Sequence, residues 1–133
     1  MSRKLVVDSS VLFAIFEKDV PIDLSSIIDL VRPSRIVILT PCLREIERKM
    51  LSGSPREKSI ARSIINIIEK LGLEIEEDKS EICDEAIISY CDGKRNVVVA
   101  TLDNELKNRL LAKGVGVIYL RAGKRPILEI PEV

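Results

Sequence analysis

Short apolar runs alternate with stretches of helical spacing along the chain. Lys4 to Val7 is an apolar run that stops at Asp8 and predicts a buried strand. Ser9 to Phe16 reads as helix. Leu24, Ile27, Ile28 and Val31 recur at helical spacing behind Asp23, a suitable N-cap, and Pro33 ends that helix. Ile36 to Leu39 is a second β-branched run, closed by Thr40-Pro41. Pro41 suits the first turn of a helix that carries Leu43, Ile46 and Met50 inward. Ser54-Pro55-Arg56-Glu57 predicts a capping box with Pro at the first helical position. The stripe Ile60, Ile64, Ile67, Ile68 and Leu71 follows, and Gly72 fits the cap. Leu73 to Ile75 predicts a third strand, and Asp78 or Ser80 opens a helix through Cys91. Val97 to Ala100 is the clearest strand, Asn104 to Lys113 a helix, and Gly116 to Leu120 a fifth strand. The tail through Ile130 adds a short extended segment. Glu17 to Ile22 reads as the most mobile loop.

Strands alternating with helices imply an α/β chain with a parallel sheet of about five strands covered on both faces. With no repeat or linker, residues 1–133 are expected to form a single domain. Ligands of such a sheet bind outside the C-terminal ends of its strands, and here those ends are acidic. Asp8 follows the first strand and Asp103 the fourth, while Glu45 lies just after the second and Asp84 early in the helix before the fourth. Carboxylates this close persist only with a cation or protons to offset their charge. Hard divalent cations take oxygen ligands, lower the pKa of a water they bind and stabilise charge on a phosphate. Each acid also has a plainer use. Asp8 and Asp103 can cap helices, Asp84 can complement a helix dipole, and Glu45 can be one charge of a solvated face. On helical spacing alone, Glu47 lies nearer the apolar stripe than Glu45 does.

Composition narrows the chemistry. There is no histidine, which excludes Ser-His-Asp and Cys-His catalysis and zinc held by imidazole. The 21 basic and 21 acidic side chains cancel, so nucleic-acid contact needs local basic patches. Aromatic residues make up only 3% of the chain, so base stacking is not evident. Abundant Ile, Lys, Arg and Glu with no Gln are compatible with a thermophilic source. Cys42, Cys83 and Cys91 are an odd number without a C-x-x-C, which favours reduced thiols packed as small apolar residues. The apolar runs are too short to span a bilayer, and no signal-peptide core precedes Asp8, so a cytoplasmic location is the expectation.

The order of elements and acids resembles the PIN-domain family. Val6-Val7-Asp8-Ser9-Ser10-Val11-Leu12 resembles its opening strand and D-T-N-x-L motif, with hydroxyls at Ser9 and Ser10 in place of Thr and Asn. Thr40-Pro41-Cys42-Leu43-Arg44-Glu45-Ile46 resembles its proline-led helix, and that register selects Glu45 over Glu47. Asp84-Glu85-Ala86-Ile87-Ile88 resembles its D-x-A-I/L-I/L helix start. Val99-Ala100-Thr101-Leu102-Asp103 resembles its V-A-T-N-D segment, with Leu102 where the family has Asn or Arg.

The resemblance implies a three-layer α/β/α sandwich and Mg²⁺- or Mn²⁺-dependent RNA cleavage. Asp8, Glu45, Asp84 and Asp103 would be the metal ligands, with Ser9 and Thr101 as supporting polar groups. Val117 to Arg121 with Lys124 and Arg125 is similar to archaeal ribosomal-RNA-processing members. It implies homodimers and a ribosome-assembly partner, or an antitoxin partner on the toxin-ribonuclease branch. Arg44, Arg48, Lys49, Lys107, Arg121, Lys124 and Arg125 are the candidate RNA contacts. Glu47, Glu85 and Asp92 are reserve acids. Two other readings remain open: a non-catalytic RNA- or protein-binding domain, and a phospho-acceptor receiver domain, although the first strand ends in one acid rather than a pair.

Overall fold

The computed structural model describes residues 3–16, 23–120 and 126–131. Six strands form one sheet in the order β3-β2-β1-β4-β5-β6. They are β1 (Lys4–Val7), β2 (Arg35–Leu39), β3 (Glu74–Glu76), β4 (Val97–Thr101), β5 (Gly116–Tyr119) and β6 (Ile127–Glu129). The first five pair in parallel. They make the expected parallel sheet of about five strands, and the expected extended tail adds β6, which pairs antiparallel to β5 with Ile118 opposite Leu128.

The helices are α1 (Ser9–Ile15), α2 (Leu24–Val31), α3 (Thr40–Ser52), α4 (Pro55–Lys70), α5 (Cys83–Cys91) and α6 (Asn104–Ala112). Right-handed crossovers set α1 to α4 on one face of the sheet and α5 and α6 on the other. The packing agrees, since α1 meets α3 and α4 while α5 meets α6. This is the expected three-layer α/β/α arrangement. Every residue of β4 is buried, as a central strand covered on both faces requires. The edge strand β3 keeps Glu74 exposed, and a charge there discourages pairing with another chain.

Local chemistry explains the boundaries. Asp23 caps α2 through the Ser25 amide, and the next helix break comes at Arg32 in the left-handed region ahead of Pro33. The capping box of Ser54 and Glu57 is complete. Gly53 makes the α3–α4 turn possible, because an added Cβ would lie 2.5 Å from the Lys49 carbonyl oxygen. The α5 start differs from expectation. Asp78 accepts from the Ser80 amide in a turn, and the helix begins only at Cys83. Asp78 is also tied back to α3 by its amide, which donates to Thr40 Oγ1. The loop Glu17 to Ile22 lies outside the described residues.

The reading of three reduced cysteines is overturned for two of them. Cys42 and Cys83 form a disulfide, with Cα atoms 4.7 Å apart. Their separation of 41 residues carries no recognisable spacing; the fold brings the N-termini of α3 and α5 together. Cys91 remains a free buried thiol, whose pKa burial pushes up to about 12.

Candidate metal centre

The sheet changes direction between β1 and β4, the place where open α/β sheets bind ligands. Asp8 closes β1 at this point and is 4% exposed. It occupies the N-cap position of α1 but makes no regular cap bond; the Ser10 amide only lies near enough to favour the anion. Its Oδ2 instead accepts from Ser10 Oγ at 2.8 Å and Thr101 Oγ1 at 2.9 Å. Oδ1 faces Ser9 Oγ and Cys83 Sγ, each at 3.5 Å. The disulfide sulfur carries no hydrogen, so its approach is a contact and not a hydrogen bond. Burial raises the Asp8 pKa above the ordinary carboxyl value, and the Ser10 and Thr101 bonds offset part of that rise.

Glu45 reaches the same place from α3. It is half-buried, and Ser9 Oγ donates to its Oε2 at 2.6 Å. Glu47 is exposed. Helical spacing favoured Glu47 because it reports the apolar stripe, and the sheet rim where Glu45 meets Ser9 lies off that stripe. Asp103 arrives from the end of β4. Its amide donates to Thr101 Oγ1 at 3.0 Å, and its Oδ1 caps α6 by accepting from the Glu105 and Leu106 amides. The plainer use of Asp103 is therefore real, and it employs one oxygen. Asp84, in the first turn of α5, has its pKa raised by burial first, then by the charges of Asp8, Asp103 and Glu45. Three acids from three other segments thus act on Asp84. Among the described residues, none of the four makes a salt bridge.

Ligand atoms of Asp8, Cys83 and Asp84 lie within 4.8 Å of one another. Cys83 offers no thiolate while it is disulfide-bonded, so the donor set is oxygen only. A hard divalent cation fits such a set, and the mutual repulsion raising the Asp84 pKa is what a cation would relieve.

The other candidates divide. A cleft of about 570 Å³ adjoins the acids at Ser9 and Glu45 and runs past Arg48 and Lys49. Arg44 is exposed on the same helix. Lys49 is paired with Glu57 at 2.6 Å. Lys107 is turned away: it pairs with Glu129 at 3.3 Å and lies 4.4 Å above the Tyr119 ring. Arg121, Lys124 and Arg125 lie outside the described residues. Of the reserve acids, Glu85 is held by both terminal nitrogens of Arg109, and Asp92 sits at the far end of α5. Sequence reasoning named Ser9 and Thr101 as supporting groups and noted the Ser10 hydroxyl only as standing where the family has Asn; the structure sets it on Asp8 Oδ2. The signal for Ser10 was its place in the first turn after a buried acid.

The chain belongs to the PIN-like domain family, whose model matches residues 5–123. It is 29% identical over 121 residues to Ribonuclease VapC4 of Methanocaldococcus jannaschii, covering 91% of this chain and 92% of that one. It is likewise 29% identical over 131 residues to Ribonuclease VapC9 of Archaeoglobus fulgidus, covering 96% and 90%. Among solved structures, the PIN domain endonuclease Utp24 superposes with a TM-score of 0.71 at 18% identity, over 98% of this chain and 95% of that one. A domain of a functionally unknown protein from Methanocaldococcus jannaschii superposes with a TM-score of 0.56 at 18% identity, over 99% of each chain. Among the described residues, no helix is long and apolar enough to cross a membrane.

Proposed function

We propose that this chain is a divalent-metal-dependent endoribonuclease that hydrolyses RNA phosphodiester bonds at Asp8, Glu45, Asp84 and Asp103. The observation that carries the reading is the convergence of four carboxylates on the sheet's switch point around a buried Asp8. The two ribonuclease relatives, matched over nine-tenths of the chain, favour RNA as the substrate.

Mg²⁺ or Mn²⁺, when bound, supplies a Lewis acid for the charge on a reacting phosphate and acidifies water. The chain's own groups do the positioning. Ser10 and Thr101 hold Asp8 Oδ2, which leaves Oδ1 facing Ser9 and Cys83 without a short hydrogen bond. Ser9 orients Glu45. The Glu105 and Leu106 amides fix Asp103. In the absence of a cation, the Asp84 carboxyl holds a proton more readily than an ordinary aspartate. Arg48 continues the cleft beyond Glu45 and gives RNA phosphates a cationic wall.

Purified protein is expected to cleave single-stranded RNA with Mn²⁺ or Mg²⁺ and to stop when EDTA is added. Cleavage that survives complete chelation would sink the reading. The finer role is ribosomal-RNA processing with a ribosome-assembly partner, or toxin activity with an antitoxin partner. The names of the two relatives favour the toxin reading, and a small antitoxin gene adjoining this one would decide for it. A cytoplasmic homodimer belongs to the same proposal, and sedimentation equilibrium tests the dimer.

A further inference from the structure

The Cys42–Cys83 disulfide lies inside the acidic cluster. Cys42 is in the first turn of α3, one turn before Glu45, and Cys83 immediately precedes Asp84 on α5. Both cysteines are buried, at 0% and 1% exposure. Cys83 Sγ touches Asp8 Oδ1 at 3.5 Å and lies 3.9 Å from Ser9 Oγ, the hydroxyl that orients Glu45. The bond therefore joins two helices from opposite faces of the sheet at the rim where their acids meet.

Those helices have reason to separate. Like charges on Asp8, Glu45, Asp84 and Asp103 repel when no cation is present. Hydroxyls and amides hold Asp8, Glu45 and Asp103. No hydrogen bond reaches the Asp84 carboxylate among the described residues. Its place is set by the start of α5, and the bond at Cys83 is the covalent link nearest to it. A ligand carboxylate held within a fraction of an ångström of its working position binds more tightly than one that must first be ordered.

We infer that the Cys42–Cys83 disulfide is a positioning element for the metal site, holding Asp84 against Glu45 and Asp8, so that the oxidised protein binds Mg²⁺ and Mn²⁺ more tightly than the reduced one. The inference rests on the proposed metal site. A dithiol reductant breaks the S–S bond by two successive exchanges. It delivers two electrons and two protons, leaving two protein thiols and a disulfide on the reductant. Linkage makes the coupling reciprocal: a cation favouring the oxidised form must make that form harder to reduce by the same free energy. Each tenfold in affinity corresponds to about 30 mV in the two-electron midpoint.

Two measurements test this on the intact chain. Mn²⁺ dissociation constants are read by electron paramagnetic resonance for the oxidised protein, the phosphine-reduced protein and Cys42→Ala/Cys83→Ala, below the melting temperature of each. Cys91→Ala serves as a control. Reduction should weaken binding about tenfold, the double variant should match the reduced protein, and Cys91→Ala should match the oxidised one. The second measurement is the midpoint in dithiothreitol redox buffers at a temperature where circular dichroism shows both redox forms folded. Saturating Mg²⁺ should lower it by about 30 mV, and a reduced chain that is unfolded at every temperature makes the bond a folding brace and overturns the inference. A brace with no part in metal binding would leave that midpoint unmoved. Equal affinity in both redox states, or tighter binding by the reduced form as Cys83 sulfur joins the site, overturns the inference and leaves the metal site standing. No Mn²⁺ binding in either state overturns both.

Discussion

Thr101 connects Asp8 to Asp103: its hydroxyl donates to Asp8 Oδ2 at 2.9 Å and accepts from the Asp103 amide at 3.0 Å. Thr101 is fully buried, so neither bond can be exchanged for water. Thr101→Val keeps the shape and removes both bonds, leaving the Asp103 amide unpaired. A buried group left unsatisfied costs about 1–3 kcal/mol. Thr101→Val is therefore expected to lower stability by that amount and to weaken Mn²⁺ binding, while Thr101→Ser retains both bonds and stays near wild type. Urea denaturation and Mn²⁺ titration check this. A Val variant as stable and as metal-competent as wild type would show that the relay contributes nothing.

Asp8→Asn separates stability from chemistry. Burial raises the Asp8 pKa, and burial with neighbouring charges raises that of Asp84, above the ordinary value near 3.8. Between the ordinary and the raised values, the folded chain binds more protons than the unfolded one. Stability then rises as pH falls through the raised values, and that gain is complete below the ordinary value. In EDTA, the wild type should melt higher at mildly acidic pH than at neutral pH as far as these two groups decide it. Asp8→Asn should melt no lower than wild type at neutral pH and show a smaller acid gain. Its Mn²⁺-dependent RNA cleavage should be abolished. An Asn variant that cleaves undiminished would contradict the proposed role of Asp8.

What the sequence made legible follows from how local each signal is. The β1 run, the Ser54–Glu57 capping box and the β4 run each lie within a few residues, and each forms where expected. Asp8 and Asp103 were readable because strand ends in a parallel sheet share one edge. Glu45 needed a family register, because helical periodicity reports the core-facing stripe and Glu45 faces the rim. The disulfide was illegible, since it depends on two helix N-termini meeting across a sheet edge. The late start of α5 had the same origin: Asp78 bonds to Thr40 on another element, and turn chemistry overrode a good N-cap.

Arg48 and Lys107, grouped together by sequence, should behave differently. Arg48 is exposed and lines the cleft beside Glu45. Arg48→Ala should weaken RNA binding and make its salt dependence shallower by about 0.7 in log–log slope, the value for one phosphate contact on a single strand. The Lys107 side chain is 14% exposed and already engaged with Glu129 and Tyr119. Lys107→Ala should cost about 1 kcal/mol of stability from the lost ring contact and ion pair, with RNA affinity unchanged. Fluorescence anisotropy across a salt series distinguishes the two, and equal losses of RNA affinity would refute the assignment.

The α4 capping box gives a stability effect with its own pH signature. Ser54 accepts from the Glu57 amide at 3.2 Å, and Glu57 Oε1 accepts from the Ser54 amide at 3.0 Å. Lys49 beside Glu57, then the Ser54 bonds, lower its pKa from 4.5 to about 2. A lowered carboxyl pKa has the opposite sign to that of Asp8. The stability is present above the ordinary value and is lost as pH falls from about 4.5 through about 2. Ser54→Ala should cost about 1 kcal/mol at neutral pH. Because it removes the Ser54 hydroxyl and leaves Lys49 in place, it should reduce the acid-side loss without abolishing it. The box acts on the start of α4 and not on the four acids, so Mn²⁺ affinity should stay at the wild-type value. Melting curves at pH 7, 4 and 2.5, with one Mn²⁺ titration at pH 7, make the test. An unchanged melting temperature at pH 7 would mean the cap is redundant with the packing of α4, and a weakened Mn²⁺ site would mean that α4 helps to shape it.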